Sequence, residues 1–405
     1  MIALLGALIL FPPPGREIVV DPRGPVATLS AALRLAAPGD RIVIHAGTYH
    51  EPEITVDKRV QIIGEGGPVF IGGGHQILTV TADSVTIRGL VLRGVLPASS
   101  EDRAAVKFIG VHGCAVENNV LLDTFFGIYL SKSTGCRIAG NRVRGSGRSE
   151  ALTGNAIHSW SSSDLVIEDN VLSGHRDGIY FEFTTNARVT RNRSSSNIRY
   201  GLHFMFSDGC IYRDNLFAHN GAGVAVMYSH DVLMAGNRFD SNWGAASFGL
   251  LLKDISDSRV ESNRFVSNTV GLYAEGTNRV RFEDNEFNAN GWAVKIMANA
   301  AGNLFRRNRF LNNAFDVASN STGNTSVFEE NYWDHYTGYD LDRDGYGDVP
   351  FRPVRLFSLI VQQNEPALIL LRSFFIDLLD VAERVMPVLT PETLVDRRPL
   401  MRLPS

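Results

Sequence analysis

One asparagine recurs through most of this chain, at Asn119, Asn141, Asn170, Asn192, Asn215, Asn237, Asn263, Asn285, Asn308 and Asn331, in steps of 22, 29, 22, 23, 22, 26, 22, 23 and 23 residues. Self-similarity at a near-constant period marks a repeat architecture, in which each unit buries its apolar side only against its neighbours. The flanking residues keep step. Two positions after the asparagine stand Leu121, Val143, Leu172, Ser194, Phe217, Phe239, Phe265, Phe287, Phe310 and Trp333. Three before it stand Val116, Ile138, Ile167, Val189, Tyr212, Met234, Val260, Phe282, Phe305 and Phe328. A second asparagine row follows five residues after the first, at Asn197, Asn220, Asn242, Asn268, Asn290 and Asn313. The pattern predicts an all-β fold, a right-handed parallel β-helix with a C-terminal helical extension. Each coil is then a few short strands joined by tight bends, with equivalent residues stacked ~4.8 Å apart. An inward asparagine at a bend bonds the backbone groups the turn leaves unpaired, and also the asparagines above and below it.

The β-helix is expected over residues 16–338, and strands such as VTIRGLVLRG form the coils nearest its N-terminal end. A chain of 405 residues would ordinarily divide into two or three domains, but a solenoid grows by adding coils. Residues 1–15 hold the apolar run IALLGALIL, stopped by Pro12-Pro13-Pro14-Gly15. They lack a basic start and a small-residue cleavage site, so they read as a residual export signal or as an apolar cap. No run approaches the ~20 apolar residues that span a bilayer. A net charge of −4 supplies no basic face for nucleic acid.

The three cysteines resolve through the repeat. Cys114, Cys136 and Cys210 each stand five residues before a ladder asparagine, which places them in one core row. There they behave as small buried hydrophobes rather than as a disulfide framework or a metal site. Met234 falls in a core row in the same way.

One strand per coil starts near an aligned glycine: Gly127, Gly178, Gly201, Gly223, Gly249 and Gly271. Positions one and three after it are apolar and face inward, so alternation sends positions two and four to solvent. The first of these outward rows reads Tyr129, His158, Tyr180, His203, Ala225, Leu251, Tyr273, Lys295. The second reads Ser131, Trp160, Glu182, Met205, Met227, Lys253, Glu275, Met297. A solvated sheet face would carry Thr, Lys, Ser and Asp. Thioethers are soft neutral donors and imidazole a borderline one, a set that suits Cu(I) held weakly enough to leave again. Methionines on a surface also mark adaptable contacts with a partner or an overlying loop. The two readings are compatible, and both stand at this point. Extra residues at 145–155 and 243–248 enter just before this strand and would rim the same face. His175 replaces a second-row asparagine and is expected to hydrogen-bond at a bend, while His219 and His230 are expected to be solvated.

After the last coil, Asp340, Asp342, Asp344 and Asp348 with Gly345 resemble the first half of a calcium loop, without its closing glutamate. Residues 339–364 therefore read as an acidic loop and capping extension, with calcium or a plain capping turn as the alternatives. An amphipathic helix is expected over 365–386, with Leu368, Leu371, Phe374, Phe375, Leu378 and Leu379 on its apolar face. The rest of 365–405 ends in PLMRLP, a clasp or docking peptide.

Many β-helices cleave or epimerise acidic polysaccharides, which takes a base and a basic groove. Here the best acid–base group is Asp177 with Arg176 and His175, and no long basic groove accompanies it. A polysaccharide-binding or polysaccharide-cleaving β-helix, of lyase or epimerase type, is therefore the alternative to a non-enzymatic metal carrier.

The segments GNAIHSW, GHRDGIYFEF, RYGLHFMFS, AGVAVMYS, GLLLKDISDS and NYWDHYTGYDLDRDGYGDVPFRPV closely resemble the NosD family, accessory proteins in nitrous oxide reductase maturation. The likeness runs over essentially residues 20–400. It implies a periplasmic β-helix working with an ABC transporter permease/ATPase complex. It also implies receipt of copper from a lipoprotein chaperone and delivery toward the multi-copper sulfide centre of the reductase. His158, His203, Met205 and Met227 stand in the matching motifs and are the candidate copper residues.

Overall fold

The computed structural model describes residues 15–403, apart from 148, 245–246, 321–324, 365, 368–372, 374–377, 380–381 and 383–393. Short strands stack into three parallel sheets of 14, 12 and 13 strands, and within each sheet neighbours lie one coil apart. One sheet carries the row three before the asparagine, with Val116 opposite Ile138 and Ile138 opposite Ile167. A second carries the row two after it, as in Leu121 opposite Val143. The third holds the strands that begin at the aligned glycines. Helix Leu29–Leu35, whose first turn is capped by the Thr28 side chain, closes the N-terminal end over Leu29, Ala32 and Leu33.

The ladder forms because the residue before each asparagine turns the chain sharply. Asn118, Asp169, Arg191, Asp214 and Ser262, for example, all have φ between 54° and 57°. Such a bend leaves backbone groups facing inward without strand partners, and the asparagine takes them. The Asn192 backbone N–H and its side-chain amide both donate to Asn215 Oδ1, at 2.9 and 3.1 Å, and Asn215 Nδ2 donates to the Val189 carbonyl at 2.9 Å. Beside the ladder runs a stack of rings from Phe217 through Phe239, Phe265, Phe287 and Phe310 to Trp333, with centroids 4.1–5.7 Å apart. Met234 and the three cysteines are buried in this core, the cysteines as free thiols.

His175 departs from its expected role. Asn197 Oδ1 accepts from its backbone N–H at 3.2 Å, but the ring does not join the asparagine ladder, its nitrogens facing the Gly154 and Phe125 backbone without a well-formed hydrogen bond. A rigid imidazole cannot present donor and acceptor along the stacking axis as a carboxamide does. The ring instead packs close to Gly145, where a Cβ would come within 3.0 Å of its Cδ2.

The expected helix over 365–386 lies almost wholly outside the described residues. The C-terminal helix that is described, Leu356–Gln363, sits earlier and packs Phe357 and Val361 against Trp292, Phe315 and Ala318. The tail returns to the end of the solenoid. Asp396 pairs as an isolated bridge with Phe328, and Leu400 with Tyr332. The Asp396 carboxylate then takes the next place in the ladder: Oδ2 accepts from the Asn331 N–H and Nδ2, both at 3.0 Å, and from Trp333 Nε1 at 3.1 Å. Replacing Asp396 with alanine strands three buried donors and should cost ~2–4 kcal/mol, freeing the tail. Limited proteolysis that clips Asp396→Ala near residue 394 but spares wild type and Asp396→Asn would show it. Equal resistance of all three proteins would refute the capping role.

Candidate functional site

The glycine-led strands keep the register that alternation requires. Tyr129, His158, Tyr180, His203 and Ala225 stand opposite one another on successive coils, as do Trp160, Glu182, Met205, Met227 and Lys253. Met205 and Met227 are therefore direct neighbours, ~4.8 Å apart along the stack. His203 shares a strand with Met205. His158 lies two coils from His203 with the Tyr180 ring between them, so the structure brings three of the four candidates together and leaves His158 apart.

Direction and access turn out to differ. The first outward row, expected to reach solvent, is covered: Tyr129, His158, Tyr180 and His203 are 8, 9, 9 and 6% exposed. The rings shield one another. His158 is sandwiched between Tyr129 at 4.5 Å and Tyr180 at 4.8 Å, with the Phe126 edge at 5.0 Å. His203 is closed in by Tyr180 and Tyr200 at 5.1 and 4.8 Å. Around His158 the flat rings sit near van der Waals separation, so water cannot enter between them, whereas an edge and a tilted ring cover His203. The second row, in which Met205 and Met227 stand, remains half-buried and accessible.

Burial holds both imidazoles neutral. It pushes the pKa of His158 down to about 3, helped by Arg176, and that of His203 down to about 4, opposed by Asp177 and helped by Arg199 and Arg176. A metal needs that neutral form, but the ring protons matter as well. Arg199 Nη2, which can only donate, lies 3.2 Å from His203 Nδ1 and is held there by Asp177 at 2.9 Å. Nδ1 is thus the acceptor and Nε2, buried without a partner, carries the proton. His203 ligates through Nε2 only after the Arg199 contact breaks. At His158, Asn155 Nδ2 lies 3.0 Å from Nδ1, while Asn155 Oδ1 has no partner. Turning that amide would pair its oxygen and free Nε2.

These rings carry a pH signature. His158, His203 and the fully buried His175, also pushed to about 4, all titrate below the ordinary 6.5. The fold resists protonating them. Stability should be full above pH 6.5 and fall as pH drops toward 4, by up to ~1.4 kcal/mol per unit per ring. Melting temperature against pH should be shallower in His203→Gln than in wild type, and parallel curves would refute this.

A feature beside the methionines was missed. Phe183, Phe206 and Tyr228 each follow Glu182, Met205 and Met227, and they stack at 5.2 and 5.1 Å while remaining 48, 42 and 43% exposed. All three are held at φ of 50–53°, where neighbouring coils place Lys132, Ser161, Asp254 and Gly276. Three aromatics at a bend that elsewhere is polar or glycine was a legible signal. On the other side, a groove of about 590 Å³ opens over His158, Trp160 and Glu182, with Asp102, Lys107 and Tyr129 in its wall.

The acidic loop brings Asp340, Asp342 and Asp344 within 4.8 Å of one another. Asp348 does not join them and accepts instead from the Leu341 N–H at 2.7 Å. Asp340 and Asp344 accept from the backbone N–H groups of Gly345 and Tyr346, and Arg398 reaches Asp344 at 3.3 Å. His219 and His230 are exposed, as expected, with His230 paired to Asp208 and Asp231. The acid–base group weighed for polysaccharide chemistry is sealed: Asp177 and His175 are fully buried, and Asp177 is paired with Arg199 and Arg176.

A family model described as periplasmic copper-binding protein (NosD) matches residues 146–340, and one described as right handed beta helix region matches residues 75–208. A probable ABC transporter binding protein NosD of Pseudomonas aeruginosa is 30% identical over 393 residues, covering 92% of this chain and 91% of that protein. A protein of the same name from Stutzerimonas stutzeri is 26% identical over 382 residues, covering 89% and 86%. Among solved structures, the Azotobacter vinelandii mannuronan C-5 epimerase AlgE6 A-module superposes with a TM-score of 0.54 at 15% identity, covering 75% of this chain and 86% of that one. A Yersinia enterocolitica family 28 exopolygalacturonase gives 0.60 at 10% identity, covering 78% of each. Likeness at that identity is a likeness of fold alone.

Proposed function

This chain belongs to the NosD family of periplasmic copper-binding proteins, and from that premise we propose that it is a non-enzymatic copper carrier. It takes up Cu(I) transiently in the periplasm and passes it on toward the copper site of nitrous oxide reductase, while held by an ABC transporter. The observation that carries this reading is the pair of half-exposed thioethers, Met205 and Met227, in register on adjacent coils. Two thioethers without a thiolate bind a soft monovalent ion but release it readily, as a relay requires. The cysteines, which would hold it far more tightly, are buried elsewhere in the core. His203 is the third donor, available once its ring leaves Arg199, and His158 with Glu182 lines the approach from the groove. The donor of copper is then the lipoprotein chaperone that the family resemblance implies. Anaerobic titration of Cu(I) should show binding that survives excess Zn²⁺, and displacement of Cu(I) by Zn²⁺ would overturn the soft-site assignment.

The strip of Phe183, Phe206 and Tyr228 supports partner contact at the same face. Each ring is kept where an L-residue is strained by ~1–2 kcal/mol. Replacing all three with glycine relieves that strain and removes ring stacking worth ~0.5–1.5 kcal/mol per pair, so melting temperature should change little. Capture of the transporter or chaperone by the triple variant should fall sharply. Undiminished capture of both would remove the strip from any interface.

A further inference from the structure

We propose that Asp316, Asp334 and His335 form a second cation site, for a borderline divalent ion such as Zn²⁺, at the C-terminal end of the solenoid, four coils beyond Met227. One ligand atom from each residue lies within 4.8 Å of the others. Donors around a tetrahedral ion at ~2.1 Å stand roughly 3.4 Å apart, so side-chain rotation suffices to close the set. The independent mark of a ligand is Asp316. It is only 6% exposed, and its Oδ1 has no hydrogen-bond partner. A buried carboxylate oxygen left so is costly, and a bound cation satisfies it. Asp334 Oδ1 is likewise without a hydrogen bond, 3.5 Å from His335 Nε2, while its Oδ2 is anchored by the Asn312 N–H.

The surroundings agree. Burial pushes the Asp316 carboxyl up to about 7, with Arg355 pulling against it and Asp334 adding to it. Two carboxylates and an imidazole suit Zn²⁺, whereas Ca²⁺ takes six to eight oxygens and Cu(I) prefers sulfur. Asp316 lies on the terminal strand Phe315–Ser319, and Asp334 and His335 directly follow the terminal strand Tyr332–Trp333. Helix Leu356–Gln363 rests against the same place through Phe357 on Phe315. The ion therefore pins the last coil to the segment that leads into the C-terminal region.

The test uses the full chain, free of any histidine tag and stripped with a chelator. Zn²⁺ should bind and raise the melting temperature, with Ca²⁺ and Mg²⁺ far less effective. Asp316→Asn keeps shape and removes the buried acid, so it should fold; its Zn²⁺ affinity should fall on the order of 100-fold. Asp342→Asn, in the neighbouring acidic loop, should leave the Zn²⁺ effect unchanged, and so should Met205→Leu with Met227→Leu. An equal Zn²⁺ effect in wild type and Asp316→Asn, loss of the effect in Asp342→Asn, or preference for Ca²⁺ would each overturn the proposal without touching the Cu(I) reading.

Discussion

Replacing Met205 and Met227 together with leucine is expected to weaken Cu(I) binding on the order of 100-fold or more while the protein stays folded and keeps its partners. Leucine preserves volume and apolarity and removes only the sulfur, so the variant separates a donor from a greasy contact. The fold has no reason to yield. Both side chains are half-buried on the outer surface, whereas the ladder and the ring stack hold the coils from within. The measurement is anaerobic competition against a chromogenic Cu(I) chelator, with melting temperature as the control. Unchanged affinity would displace the site from the thioether pair, and His158 with Glu182 in the groove would be the next place to look. A loss of partner capture with copper affinity intact would make the methionines an interface and nothing more.

Asn215→Ala is expected to be among the most damaging single substitutions in the chain. The side chain serves four groups: it accepts from Asn192 N–H and Nδ2, and it donates to the Val189 carbonyl and to Asn237 Oδ1 at 3.0 Å. Each is buried where water cannot take over. At ~1–3 kcal/mol for a stranded buried group, and with partial relaxation, the loss is ~3–6 kcal/mol. That is a large part of the ~5–15 kcal/mol that holds an ordinary domain together. Because coils contact only their neighbours, the damage should stay local and split the melt into two transitions rather than lower it uniformly. Hydrogen exchange should show coils flanking residue 215 opening first. A single transition close to wild type would mean that the ladder is dispensable at this position.

The candidate site was legible to different depths. Register between Met205 and Met227 followed from counting to an aligned glycine, since one pleat fixes which way a side chain points. The burial of His158 and His203 did not follow. It depends on Tyr129 and Tyr180 stacking flat on His158, on the Tyr180 edge and a tilted Tyr200 closing over His203, and on Arg199 and Asp177 fixing one ring's proton. The aromatics after the methionines were readable in principle, because a bend that elsewhere holds lysine, serine, aspartate or glycine holds Phe183, Phe206 and Tyr228 on three successive coils. Asp396 was not readable at all: it completes the ladder on Asn331 from 65 residues away, outside any period. The cluster of Asp316, Asp334 and His335 likewise joins residues whose spacing carries no motif.

By itself the sequence determined the coil, its inward rows, the partner of each strand and the direction of each side chain. All of these are consequences of a local backbone repeat, and a repeat is written in residue spacing. Only the tertiary structure decided which outward side chains meet solvent, which imidazole nitrogen holds a proton and what closes the solenoid's end. Those depend on particular side chains, some a coil or more away and some only at the preceding bend as Arg199 is from His203, brought within a few ångströms by the fold, and no repeat period encodes that meeting.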